Sequence, residues 1–147
     1  MPTIIPGYVY SLFAALAVGV ILVASCSLAT SGMRTDAEKQ QLKNIDAYIA
    51  AQTLTLISRT GAGDQNITQY LEVPSQIGNQ RFWIRITNDS STAWVESGFG
   101  TDILASQIRV EVPAKVAASG SIVSGMGRAL IQCHFENGFA TLTLTDE

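Results

Sequence analysis

Charged residues are missing from the first part of this chain. Met1 to Met33 contain none, although the sequence holds nine Lys and Arg and twelve Asp and Glu. The basic residues are scattered, which argues against a phosphate-tracking patch for nucleic acid. The net charge of −3 is too small to favour acidic lipids as a partner. The sequence therefore separates an uncharged N-terminal segment from an ordinary polar and apolar mixture.

Side chains suited to catalysis or metal binding are also scarce. His134 is the only histidine, so nothing supports a Ser-His-acid triad. Cys133 and His134 would point to opposite faces of a strand, so they cannot chelate one metal ion. Cys26 lies in the apolar segment, and we expect it and Cys133 to be free, buried thiols. The carboxylates form no acid/base pair, and we expect no enzymatic activity, no cofactor and no metal.

The uncharged segment contains an apolar run, Tyr8–Leu28. About 20 residues of this kind span ~30 Å as a helix, which is the thickness of a bilayer core. A cleaved signal peptide is disfavoured because no Lys or Arg precedes the run and no small-x-small site closes it. Val23–Cys26 resembles a lipoprotein lipobox, which stays open as an alternative. We predict a retained apolar helix half over residues 1–33, inserted in a membrane or a helix bundle.

Small residues recur every four positions in this run. Ser11, Ala15 and Gly19 would form a smooth stripe on one side of the helix, with a bulky stripe beside it. Stripes of this kind let helix backbones approach closely in an apolar medium. We therefore predict helix self-association through these three residues, while noting that Ala and Gly are common in membrane helices in general.

Residues 34–60 predict an amphipathic helix half. Ser31-Gly32 precedes it and predicts a kink or local unwinding, because Gly costs ~1 kcal/mol relative to Ala within a helix. Gln52 interrupts an apolar face that should lie on a folded domain. The residues predicted on the apolar face are Leu42, Ile45, Ile49 and Leu56. The residues predicted on the other faces are Lys39, Lys43, Asn44 and Asp46.

From Gln80 the apolar pattern changes to a period of two, which predicts antiparallel strands with one buried face. Asn88–Ser91 predicts a turn, and Ser119–Gly127 a flexible connection. Asn137-Gly138 predicts a tight hairpin whose register places apolar pairs on one face. Those pairs are Phe135 with Ala140, Cys133 with Leu142 and Ile131 with Leu144, and the opposite face pairs His134 with Thr141 and Gln132 with Thr143. We predict an α+β fold, with the long helix packed on an antiparallel β domain over residues 61–147.

Trp83 and Trp94 alternate with the apolar residues of their strands, so they are candidates for a partner surface, or for packing under a loop or a neighbouring subunit.

Two glycosylation sequons begin at Asn66 and Asn88, both in predicted loops. Glycans there would place the β domain outside the cell, whereas the weak positive charge after the apolar run favours the cytoplasm.

Two stretches of the β domain support a family resemblance. Val73–Ile84 (VPSQIGNQRFWI) is similar to the "LPSxIG…YxI" stretch of pilin-like proteins of archaea, and Asn88–Glu96 is similar to their next strand. The layout of leader, apolar then amphipathic helix and small β domain also resembles the type IV pilin superfamily. The resemblance covers most of the chain through motifs of moderate specificity. The family's leader usually carries a basic residue before its cleavage site; Met1–Gly7 has none, although Gly7-Tyr8 imitates the site.

The resemblance implies a structural subunit of an extracellular, type IV pilus-like filament. In that superfamily the apolar helix first anchors the subunit in the membrane and then forms the filament core, with the β domains outside. We therefore expect a homo-oligomeric helical polymer at the cell surface, with membrane insertion before assembly. The unusual leader motivates an alternative, in which the protein remains a membrane-anchored accessory or binding protein with an external β domain.

Overall fold

The computed structural model describes residues 4–60, 66–89, 92–103, 108–136 and 139–147. One helix, α1, spans Ile4–Thr60. Seven strands follow in the order β1 (Asn66–Leu71), β2 (Phe82–Asn88), β3 (Ala93–Phe99), β4 (Ile108–Val112), β5 (Ala117–Val123), β6 (Ala129–Glu136) and β7 (Phe139–Asp146). The chain divides into two compact units, Met1–Ala37 and Glu38–Glu147. The second unit thus combines most of the amphipathic half of α1, from Glu38 onward, with all seven strands.

The backbone of α1 stays helical through Ser31 and Gly32, so the predicted local unwinding is wrong. Hydroxyl groups in this region bond to carbonyl groups of the helix itself. Ser31 Oγ donates to Leu28 O at 2.9 Å, and Thr35 Oγ1 donates to Ser31 O at 3.1 Å. The cost of one glycine, ~1 kcal/mol, is too small to interrupt a helix whose neighbouring turns are continuous.

The seven strands form one sheet in the order β1-β6-β7-β5-β2-β3-β4. Every pairing is antiparallel except that of β5 with β7. The predicted register of the last hairpin is confirmed, since β6 and β7 pair Phe135 with Ala140, Cys133 with Leu142 and Ile131 with Leu144. Its turn residues, Asn137-Gly138, lie outside the described residues. The predicted turn at Asn88–Ser91 connects β2 to β3, with Ser90 and Ser91 outside the described residues.

The amphipathic half of α1 packs on one face of this sheet, which confirms the α+β fold class. Leu42, Ile49 and Leu56 are fully buried on the helix side of the core. The strands contribute alternate residues, as the period of two predicts. The largest of the fully buried strand residues on this face are Phe82, Ile84, Ile86, Ile131, Leu142 and Leu144.

Two strands were not predicted from the sequence. β1 is an edge strand, and β5 lies in the middle of the sheet between β7 and β2. The predicted flexible connection over Ser119–Gly127 is therefore wrong for residues 119–123, which belong to β5. Gly120 has a φ of 119°, and a Cβ there would lie 2.0 Å from Leu144 O in β7. Glycine is thus required where these two parallel strands approach each other.

Candidate functional site

The small residues of the predicted stripe lie together on the surface of α1. Ser11, Ala15 and Gly19 are all exposed. Ala15 and Gly19 line a shallow, mostly apolar groove along the helix. A Cβ added at Gly19 would meet no atom of the described residues within 4 Å, so no contact with them requires a glycine there. The groove is open to a partner that approaches the helix from outside.

The polar groups of this helix half are largely satisfied within the helix. Ser11 Oγ donates to Gly7 O at 2.7 Å, Ser25 Oγ to Ile21 O at 2.7 Å, and Thr30 Oγ1 to Cys26 O at 2.8 Å. These hydroxyl groups therefore need no water, and the helix surface suits apolar surroundings. The helix is long and apolar enough to cross a membrane, with a mean hydropathy of 2.5 in its most apolar window.

Both cysteines are free thiols, as predicted. Cys133 is buried in the sheet core, whereas Cys26 is exposed on α1, so the expectation of a buried Cys26 is wrong for the single chain. Its side chain points away from the helix axis, and no other element of its unit covers it.

His134 Nδ1 lies 2.5 Å from Asn66 Oδ1 at the end of the β1–β6 pair. Within the described ranges, His, Cys, Asp and Glu form no group of three that could hold a metal ion.

Trp83 is on the sheet face that α1 does not cover, but it is only 1% exposed. Its indole ring lies over Gly98, its neighbour on β3, where an added Cβ would be 2.9 Å from Trp83 Cζ2. The candidate partner surface is therefore wrong for Trp83, because glycine in the next strand lets the ring lie flat against the sheet. The guanidinium carbon of Arg85 lies 5.8 Å from the centroid of the Trp83 ring.

Trp94 is half-buried on the same face. The guanidinium carbon of Arg109 stacks 3.8 Å from the centroid of its ring, close enough for a cation–π contact. The indole Nε1 is buried and has no hydrogen-bond partner among the described residues. On the same sheet face, Arg85 of β2 and Glu96 of β3 form an ion pair. This face is therefore organised by contacts of its own, and only part of Trp94 stays accessible.

The two sequons lie at strand ends rather than in loops, so that part of the prediction is wrong. Asn66 is the first residue of β1, and Asn88 is the last residue of β2. Both side chains are exposed, but each is used in the fold. Asn88 Oδ1 accepts from Ala118 N at 2.9 Å, and Asn88 Nδ2 donates to Asp89 O at 2.9 Å. A glycan on Asn88 would have to preserve these two hydrogen bonds.

The helical pattern predicts Asp46 outside the apolar face of α1, and this prediction is wrong. Asp46 is fully buried between α1 and the sheet. It follows Leu42 by four residues and precedes Ile49 by three, which is the spacing of one helix face. Its carboxylate accepts a hydrogen bond from Ser97 Oγ in β3 at 2.6 Å. Gln52, which interrupts the predicted apolar face, is hydrogen-bonded to Gln69 Nε2 of β1 at 2.9 Å.

No family model, curated protein or solved structure matches this chain.

Proposed function

We propose that this chain is a structural subunit of an extracellular, type IV pilus-like filament, assembled through the apolar half of α1. The observation that carries the proposal is the surface of that helix half. From Tyr8 to Met33 it has no charged residue, and the described side chains are exposed. Large apolar surfaces of this extent mark contact with lipid or with another protein.

The same surface suits two successive environments. Lipid tails and a bundle of apolar helices are similar as solvents, so a helix without charges tolerates either one. The hydroxyl groups that bond to carbonyls of their own helix remove the need for water in both cases. The proposal therefore includes membrane insertion before assembly, and burial in a filament core afterwards.

The groove at Ala15 and Gly19 supports self-association as the mode of assembly. No described residue fills the space beside Gly19, and close approach of a second helix would use that space. A head-to-tail contact repeated between identical subunits gives an open helical polymer when its rotation does not close a ring. The β domains would then form the outer layer, where Asn66 and Asn88 are candidates for glycans.

A matched pair of substitutions tests this proposal. Ala15→Leu adds a bulky side chain to the stripe, whereas Ala17→Leu adds the same side chain about 200° further around the helix. Both positions are exposed, so neither change should disturb the fold of the single chain. Overpacking by one substitution costs about 1–3 kcal/mol, so we expect Ala15→Leu to lower filament yield about fivefold or more. Yield is measured by quantifying the chain in material sheared from cells that produce it.

The control separates specific packing from general apolar contact. We expect Ala17→Leu to retain filaments, and Ala15→Leu to accumulate in the membrane fraction. Equal yields for the two variants would contradict assembly through the stripe.

The alternative function is that of a membrane-anchored accessory or binding protein. It is supported by the same apolar helix, which is sufficient as a permanent anchor. In that case the wild-type chain stays wholly in the membrane fraction after shearing, and the substitutions at Ala15 and Ala17 have equal effects.

A further inference from the structure

The buried face of α1 contains two polar residues among its apolar ones, Asp46 and Thr53, and both are fully buried. Thr53 satisfies its own hydroxyl group, since Oγ1 donates to Ile49 O at 2.8 Å. Asp46 has no such local solution, because a carboxylate in the middle of a helix accepts hydrogen bonds and finds no free N–H nearby. The protonation state of Asp46 therefore depends on the hydrogen-bond donors that the sheet places beside it.

The sheet offers Asp46 one hydrogen bond. Ser97 Oγ lies 2.6 Å from Asp46 Oδ2, and the other oxygen, Oδ1, is buried without a partner in the described part of the chain. An ionised carboxylate can accept about four hydrogen bonds, so one is a poor replacement for water. A neutral carboxyl group is far less costly to bury, and its carbonyl oxygen still accepts the hydrogen bond from Ser97 Oγ.

Among the described side chains of the facing strands, no charged group compensates for an ionised Asp46. The neighbours of Ser97 on the core face of β2, β3 and β4 are apolar. On the core face of β6, the titratable side chain among the described residues is that of Cys133. Charged side chains of these strands point to the opposite face: Arg85, Glu96, Arg109 and Glu111. On α1 itself, Lys39 and Lys43 precede Asp46, and both are exposed.

We propose that the Asp46–Ser97 contact is a pH-sensitive lock between the second half of α1 and the sheet. With a neutral carboxyl group the helix half stays docked on β3. With an ionised carboxylate the same contact leaves a buried, poorly solvated charge, and the helix half is released or loosened. The device lies within the second unit and is independent of the proposed function.

The direction of the pH effect follows from the pKa of Asp46, which burial raises to about 7, partly offset by the hydrogen bond from Ser97. In the unfolded chain the pKa is near the usual 3.8. Between these two values the folded chain keeps a proton that the unfolded chain has lost, so raising the pH favours unfolding. The stabilisation is fully present at low pH, and it is lost as the pH rises to about 7.

The test uses the full chain in detergent micelles, as wild type and as Asp46→Asn. Chemical unfolding is followed by the fluorescence of Trp83 and Trp94 from pH 4 to 9. We expect the unfolding constant of the wild type to rise about tenfold per pH unit up to about pH 7, relative to the variant. Hydrogen exchange then localises the effect. At pH 8 the amides of residues 46–57 should exchange faster in the wild type than in Asp46→Asn, and at pH 5 they should not.

Equal pH dependence of the two chains would overturn the proposal, as would equal exchange over residues 46–57 at pH 8. If Asp46→Asn does not fold, the wild type alone decides the matter through ¹³C NMR titration of its aspartate carboxyl groups. One midpoint near 7 supports the lock, whereas midpoints all below about 5 refute it.

Discussion

Gly120 allows the sharpest prediction about the fold, because Gly100 provides a matched control. Both residues have a positive φ, 119° for Gly120 and 108° for Gly100, so alanine is strained at either position. An added Cβ meets nothing within 4 Å at Gly100, but at Gly120 it would lie 2.0 Å from Leu144 O. The difference between the two alanine variants therefore isolates the contact between β5 and β7.

The size of the effect follows from these distances. Backbone strain at a positive φ costs roughly 1–2 kcal/mol, which we expect for Gly100→Ala. At Gly120, β7 must also move more than 1 Å away from the added Cβ, which breaks about two ladder hydrogen bonds worth ~1 kcal/mol each. We therefore expect Gly120→Ala to lower the free energy of unfolding by about 3–4 kcal/mol, a large part of the stability of a typical domain.

Denaturant unfolding of the full chain in micelles, followed by tryptophan fluorescence, measures both variants against the wild type. The reasoning would be refuted if Gly120→Ala were no more destabilising than Gly100→Ala. That result would mean that β5 does not pair closely with β7 at Leu144.

Two further predictions concern the face of the sheet opposite α1 and the end of β2. Asn88→Ala should lower the free energy of unfolding by about 1–2 kcal/mol, because the backbone N–H of Ala118 loses its acceptor. Asn88→Asp keeps that acceptor, so it should lower the free energy of unfolding clearly less in the same denaturation assay. Gly98→Ala should displace the Trp83 ring, which a Cβ would approach to 2.9 Å, and shift its fluorescence to longer wavelength as water reaches the indole. An unchanged emission maximum would show that the ring does not rest on Gly98.

The two halves of α1 could be predicted from the sequence because each depends on a local property. The absence of charge before Arg34 marks the apolar half, and a 3.6-residue period marks the amphipathic half. The register of β6 and β7 was equally local, because a two-residue turn fixes which residues face each other. In these cases the sequence neighbours alone decide the structure.

The missed strands depend on distant partners. β5 contains small and polar residues, and it becomes a central strand only because β2 and β7 lie on either side of it. The burial of Trp83 depends on Gly98, which is fifteen residues away in sequence but adjacent across β2 and β3. A period of two correctly placed Trp83 on the face opposite the core, but the period cannot report what covers that face.

Asp46 was missed for a different reason. Its spacing from Leu42 and Ile49 places it on the buried face, and that signal was present in the sequence. Its charge led to the opposite assignment, because ionised side chains are rarely buried without a partner. The hydroxyl group of Ser97, 51 residues away, supplies the partner that no local pattern reveals.

Electron microscopy of material sheared from the surface of cells that produce this chain tests the central claim most directly. The proposal predicts helical filaments in the sheared fraction, with this chain identified as their main component by mass spectrometry. A chain found wholly in the membrane fraction, with no filament that contains it, would contradict the proposal.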